Sequence, residues 1–195
     1  MTSTLEEWAG DSEAKPAPGP LRRVQAFINT IDLESGQDRL RAVEDARPWL
    51  VANELLASDA PLREDDLRTV VAFREGLRAL VIQNTDGQPP AAGTVSTLNE
   101  IAGQEFARVT IAADGGVRLA PIRDDIRGRL LTMLLDIADA QCDGTWVHMK
   151  ACANDDCLWA FYDRSRNHGG TWCDMATCGN KLKNRDFRAR RRTAD

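Results

Sequence analysis

The sequence predicts an α+β protein: a mainly helical N-terminal domain carrying a β-hairpin, followed by a small module organised by four cysteines. Three observations carry that prediction. Apolar residues recur at helical spacing in several segments between residues 21 and 140. The stretch 106–121 instead reads as two strands around Asp114-Gly115-Gly116. All five cysteines lie beyond residue 141, and the last four cluster.

The elements follow in order. Residues 1–20 are rich in acids and end on Pro16, Pro18, Gly19 and Pro20, which predicts a disordered leader. Leu21, Val24, Phe27, Ile28 and Ile31 lie on one face of a helix over 21–31. A second helical stretch, 37–57, contains Pro48, so a break or a new first turn is expected there. A third helix over 64–83 opens on Glu64, Asp65 and Asp66, acids that suit the positive end of the helix dipole. Residues 94–104 read as helix. Phe106–Ile111 and Val117–Pro121 then flank the Asp-Gly-Gly turn, whose residues tolerate positive φ. Residues 122–140 predict a strong helix with Ile122, Ile126, Leu130, Met133, Leu134 and Ile137 on one face. Trp146–Lys150 reads as a strand leading into the cysteines. The expected organisation is thus a leader over 1–20, a helical domain over 21–145 and a cysteine module over 146–195.

Composition narrows the function classes. Of the 195 residues 43% are hydrophobic and 28% charged, enough for a core and for solubility. No apolar run approaches the ~18–20 residues of a membrane span. The opening residues lack a basic start followed by an apolar stretch, so no secretory signal is expected and a reducing cytoplasm is. The net charge of −5 is unevenly spread. Residues 150–195 hold ten bases against six acids, and the rest of the chain is strongly acidic. Any nucleic-acid contact is therefore expected at the C-terminal end alone.

The cysteines read Cys152-x4-Cys157, fifteen residues, then Cys173-x4-Cys178. Two close pairs can grip opposite edges of a tetrahedron, the geometry that zinc takes with thiolates. The alternatives are buried free thiols or an iron–sulfur cluster. Four protein thiolates leave no open position, so the Zn2+ would be structural. Cys142 reads as a bystander, and His148 and His168 as structural or solvated. Between the pairs, Trp159, Phe161 and Trp172 suit a small core better than stacking on bases.

After Cys178 the chain turns basic, with seven bases and one acid from 179 to 192. A helix starting near Cys178 would present Lys181, Lys183, Arg185, Arg188, Arg190, Arg191 and Arg192. A knuckle, a hairpin and a helix holding the last ligands make a treble-clef-like plan. Such a surface suits DNA phosphates, and Arg164 and Arg166 between the cysteine pairs are further candidates. The bland alternative is a solvated tail.

Two arginines of the third helix, Arg74 and Arg78, fall inside its apolar stripe. A buried guanidinium needs a partner, either an internal acid or carbonyl, or a small anionic effector.

The runs Cys157-Leu158-Trp159-Ala160-Phe161-Tyr162-Asp163-Arg164-Ser165-Arg166-Asn167, Trp172-Cys173-Asp174-Met175 and Cys178-Gly179-Asn180-Lys181 resemble the CGNR-type zinc finger. Phe27-Ile28-Asn29-Thr30, Arg74-Glu75-Gly76-Leu77-Arg78 and Leu98-Asn99 resemble the ABATE-type domain that precedes it. The resemblance covers residues 21–192 and implies a stress-induced bacterial transcription regulator. Lys181 stands where the signature has arginine, keeping the charge but losing the planar fork. His168-Gly169-Gly170-Thr171 stands where the family tends to carry arginines. Both departures imply weaker DNA contacts.

The expected function is a transcription regulator that binds DNA through the zinc module, its N-terminal domain sensing or forming a homodimer. The alternative is a zinc-stabilised protein-interaction module that does not touch DNA. An enzyme is not expected, because no G-x-S-x-G, phosphate-loop or H-E-x-x-H pattern occurs.

Overall fold

The computed structural model describes residues 13–181. Helix α1 (Leu21–Ile28) is followed by a miniature hairpin, β1 (Ile31–Asp32) and β2 (Gln37–Asp38). Then come α2 (Val43–Ala52), α3 (Glu64–Asp86), α4 (Ala92–Gly103), the hairpin β3 (Ala107–Ile111) and β4 (Val117–Pro121), and α5 (Ile126–Cys142). A single turn of tight helix, Trp146–His148, leads to β5 (Met149–Ala151) and β6 (Ala160–Tyr162), and a wide helical turn spans Met175–Gly179. The strands form three separate two-stranded antiparallel sheets. The α+β class holds.

The apolar periodicity placed the helices, and local chemistry set their ends. In α3 the first-turn acid Asp66 accepts the backbone N–H of Arg63, so the N-terminal acids cap as well as complement the dipole. Pro48 neither breaks nor starts a helix; α2 runs through it. A ten-residue helix packed on α3 tolerates one missing internal hydrogen bond. Helix α5 begins four residues later than its apolar pattern suggests, because Asp125 caps it by accepting from the Gly128 N–H at 3.0 Å. Gly128 is required there: a Cβ would lie 2.0 Å from the Arg123 carbonyl oxygen. Ile122 consequently sits outside the helix and is exposed.

The long helix α3 is the axis of the core. Its Phe73 ring lies 6.0 Å from Phe27 of α1, which in turn lies 6.1 Å from Trp49 of α2. Leu77 and Val81 carry the same core on toward β5, where it continues into Met149, Ala151, Ala160 and Tyr162. The helical domain and the cysteine module therefore share one hydrophobic core.

The leader expectation fails for its described part, residues 13–20. Ala17 is buried and its N–H donates to the Gln25 side chain. Glu13 accepts from Asn29 at 2.7 Å and from the Trp159 indole at 3.1 Å. Glu13 and the backbone of Lys15 and Ala17 supply hydrogen-bond partners to a core that other segments build. Residues 1–12 lie outside the described residues.

Candidate metal centre

The site is built on the β5–β6 hairpin. Strand β5 delivers Cys152 directly after its last residue. The chain then turns through Asn154, whose carbonyl accepts from the N–H groups of Cys157 and Leu158. Leu158 adopts a left-handed conformation, φ 48°. That bend lets Trp159 return its carbonyl to the Cys152 N–H at 2.9 Å and start β6. The first cysteine pair thus occupies the tip of a tight knuckle. Of the second pair, Cys173 precedes the Met175–Gly179 turn and Cys178 lies within it; Asp174 caps the turn by accepting from Ala176 and Thr177. At Gly179, directly after Cys178, a Cβ would meet Met175 Sδ at 2.4 Å and Trp172 at 3.1 Å, so a larger residue there requires the exposed Met175 side chain to move.

Four sulfurs converge. Cys152, Cys157, Cys173 and Cys178 place their Sγ atoms within 4.8 Å of one another. Cys157 and Cys173 are 3.8 Å apart, as are Cys173 and Cys178. A tetrahedron whose vertices lie ~2.3 Å from its centre has edges of about 3.8 Å, so these spacings fit a thiolate-bound tetrahedral ion. Backbone N–H groups of Asn154 and Cys173 point at the Cys152 sulfur, and that of Trp159 at the Cys157 sulfur, the outer-shell bonds that stabilise thiolates. The thiols compete for charge. Hydrogen bonds from Cys157 and Cys173 draw Cys152 down to about 2, while the same contact with Cys152 pushes Cys157 up to about 12 and Cys173 further. Four such sulfurs ionise together only around a cation. Among the described residues no other His, Cys, Asp or Glu cluster meets this geometry. Cys142 is exposed at the end of α5. His148 and His168 stack on each other at 3.9 Å, away from the sulfurs.

The hairpin that carries the site has both edges closed by the helical domain. On the β6 side, Asn29 at the end of α1 donates to the Ala160 carbonyl at 2.9 Å and accepts the Ala160 N–H at 2.8 Å. Gln25 donates to the same carbonyl, and the Lys15 carbonyl accepts from Tyr162 N–H. On the β5 side, Asn84 of α3 donates to the carbonyls of Trp146 and Met149, and the Thr85 hydroxyl exchanges hydrogen bonds with Ala151. Sequence reasoning missed these residues as site supports. The signal was present: Gln25 and Asn29 are polar at helical spacing on the buried face of α1.

A second support is the linker between the pairs. Asp163 is buried, lies 3.2 Å from Lys150 Nζ, and accepts from the N–H groups of Ser165 and Gly170 at 3.0 and 2.6 Å. Lys150 also donates to the His168 carbonyl. Burial opposes the charge of Asp163, but these hydrogen bonds outweigh it and hold the carboxyl well below its ordinary range.

The other expected site residues fall in two groups. Arg164 and Arg166 are exposed on the linker, with the Arg164 guanidinium 5.6 Å from the Tyr162 ring. Lys181 is exposed and ion-paired with Glu34 of the β1–β2 turn. Lys183, Arg185, Arg188, Arg190, Arg191 and Arg192 lie outside the described residues. Phe161 is buried outside the core shared with the helices, with Lys15 Nζ 4.7 Å from its ring, and half-buried Trp159 is held by Glu13.

Arg74 and Arg78 are buried, and the chain itself supplies their partners. Arg74 makes a bidentate pair with Asp38 at 2.6 and 2.9 Å, donates to Thr30, and reaches Glu75 through Nε. Arg78 donates to Glu75, to the Ile28 carbonyl at 2.7 Å and to the Leu158 carbonyl at 3.2 Å. Every nitrogen of both guanidiniums is engaged, so an effector would have to displace an internal partner. Arg78 instead ties α3 to the knuckle.

Fold and site together define a helical domain joined through a common core to a four-cysteine metal-binding module. Two family models match the chain: the CGNR zinc finger over residues 148–191 and ABATE, described as a putative stress-induced transcription regulator, over residues 21–144. The ABATE match covers more than half of the chain, and the protein belongs to that family. A search of curated proteins found no match. Among the described residues no helix is long and apolar enough to cross a membrane.

Proposed function

We propose that this protein is a cytoplasmic, stress-linked bacterial transcription regulator whose C-terminal module, built on a structural Zn2+, contacts DNA. The observation that carries the reading is the convergence of four sulfurs at tetrahedral spacing in a module matched by a zinc-finger family and joined to a regulator-type domain. Cys152, Cys157, Cys173 and Cys178 would hold the ion. With all four positions filled by protein, zinc supplies folding energy, on the order of 10–16 kcal/mol in small zinc modules, and no catalysis. Arg164, Arg166 and Lys181 would contact phosphate, with the basic run from Lys183 to Arg192 adding the larger share. The helical domain would sense a signal or form a homodimer.

Phosphate contacts predict a salt slope. With ~5 phosphates neutralised, log K falls by about 4.5 per decade of salt. Fluorescence anisotropy on duplex DNA over a salt series, with and without a zinc chelator, reads this directly. Binding that ignores salt, or survives complete metal removal, refutes the proposal.

One observation favours the second reading, a protein-interaction module without DNA contact. Asn154, Asp155 and Asp156 of the knuckle share a hollow with Glu34 and Lys181, and exposed acids there repel phosphate. Under that reading the metal-loaded protein binds no duplex at low salt.

A further inference from the structure

The peptide unit between Leu158 and Trp159 has its two ends in different parts of the molecule. Its N–H, on Trp159, points at the sulfur of Cys157, one of the four that converge. Its carbonyl, on Leu158, accepts from Arg78 Nη1 of helix α3 at 3.2 Å, across 80 positions of sequence. One rigid planar group therefore connects a buried cation of the helical domain to a metal ligand.

That cation has a single orientation. The Arg78 side chain is 4% exposed. Its Nη2 donates to the Ile28 carbonyl at 2.7 Å, one of the acceptors that the end of α1 leaves over. Its Nε donates to Glu75 at 3.0 Å. With all three nitrogens engaged, the planar fork presents Nη1 to the knuckle and nowhere else.

The knuckle depends on such a hold. Leu158 is left-handed at φ 48°, a conformation that leucine adopts only under constraint. The next residues are fixed independently: Trp159 gives its carbonyl to the Cys152 N–H, and Asn29 exchanges two hydrogen bonds with Ala160. Among the described residues the Leu158 carbonyl has no donor other than Arg78. Were the peptide to turn over, its carbonyl oxygen instead of its N–H would face the Cys157 thiolate, and attraction would become repulsion.

We propose that Arg78 is a positioning residue of the metal centre, which fixes and polarises the Leu158–Trp159 peptide so that its N–H is directed at the Cys157 thiolate and helps to retain the ion. A charge-assisted bond at the carbonyl end strengthens the donor at the N–H end. That donor draws charge off the sulfur, which stabilises it as a ligand and blunts it as a nucleophile. Metal affinity is then set in part by α3, outside the cysteine module. The proposal rests on the zinc reading above and is independent of DNA contact.

The test uses the full chain and zinc itself. Arg78→Met keeps an apolar stem and removes the fork; it is expected to lower zinc affinity about 10–100-fold in competition with a chromophoric chelator. In the zinc-loaded variant, alkylation mapped by mass spectrometry should quicken at Cys157 several-fold more than at Cys173, the other half-buried sulfur. Val70→Ala, buried in the same helix about two turns away, supplies plain destabilisation, which frees all four cysteines alike. Unchanged affinity in Arg78→Met overturns the proposal, and so does a rise in reactivity shared equally by the four cysteines. Should Arg78→Met fail to fold, Arg78→Lys decides, since it keeps the charge without the planar fork. That variant is expected to bind zinc more weakly with Cys157 again the most quickened, and parental affinity in it overturns the proposal. A parent that takes up no zinc removes the zinc reading and this inference together. A parent that takes up zinc, with variants that hold it equally well, overturns this inference alone.

Discussion

At the scale of single residues, the buried polar groups decide how the metal module is held. Asn29 acts as a substitute strand, giving β6 the donor and acceptor that a neighbouring strand would have given. Asp163 gathers the linker between the cysteine pairs around one carboxylate. Its loss is predicted to leave Lys150 without a counter-charge. Asp163→Asn should therefore destabilise the protein by about 3 kcal/mol at neutral pH, measured by urea unfolding. The pH dependence has a definite sign. A carboxyl held below its ordinary value of 3.8 contributes stability above that value and loses it as pH falls toward its folded value. The gap between parent and Asp163→Asn should narrow below about pH 4, where this carboxyl takes up a proton in the unfolded chain while the folded protein still holds it ionised. A gap that widens with acid would show that Asp163 is not the anion described. Arg74 and Arg78 illustrate the same economy, since the acids and carbonyls of the chain satisfy both.

At the scale of elements, the helices and the β3–β4 hairpin were legible because their periodicity is long and their turn chemistry is strong. What sequence reading missed were short pieces and boundaries. The two-residue strands β1 and β2 carry no periodicity of their own; Asp32 forms them by accepting from Glu34 and Ser35 in the turn. Pro48 reads as a breaker, but packing of α2 on α3 overrides local propensity. The start of α5 is set by one side chain, Asp125, and by the room that Gly128 leaves. Gly128→Ala would drive a methyl into a carbonyl oxygen of the preceding loop, which belongs to backbone and cannot rotate away. A loss of about 2–3 kcal/mol in thermal or denaturant unfolding is expected, against the gain of up to ~1 kcal/mol that alanine brings in an unobstructed helix. Unchanged or raised stability would show that the loop yields.

At the scale of the whole molecule, the metal centre and the helical domain stand or fall together. The core runs without interruption from Phe27 and Phe73 to Met149 and Tyr162. Removing the metal is therefore predicted to loosen more than the finger. Amide exchange in α1 and the C-terminal half of α3 should speed up on chelation alongside β5 and β6, and Cys157→Ser should reproduce the effect. Exchange changes confined to residues 149–178 would mean that the module is only loosely attached.

The sequence by itself determined the helical segments, the hairpin, the four clustered cysteines and their family likeness, because each is written in local spacing: 3.6-residue periods, an Asp-Gly-Gly turn, two Cys-x4-Cys pairs. It also carried the departure at Lys181. Only the tertiary structure decided that part of the leader is packed, that Arg74 and Arg78 face internal acids, and that side chains from α1 and α3 close the edges of the metal hairpin. Those outcomes join residues from Glu13 to Gly170, and a hydrogen bond between residues more than a hundred positions apart leaves no periodic trace in the chain.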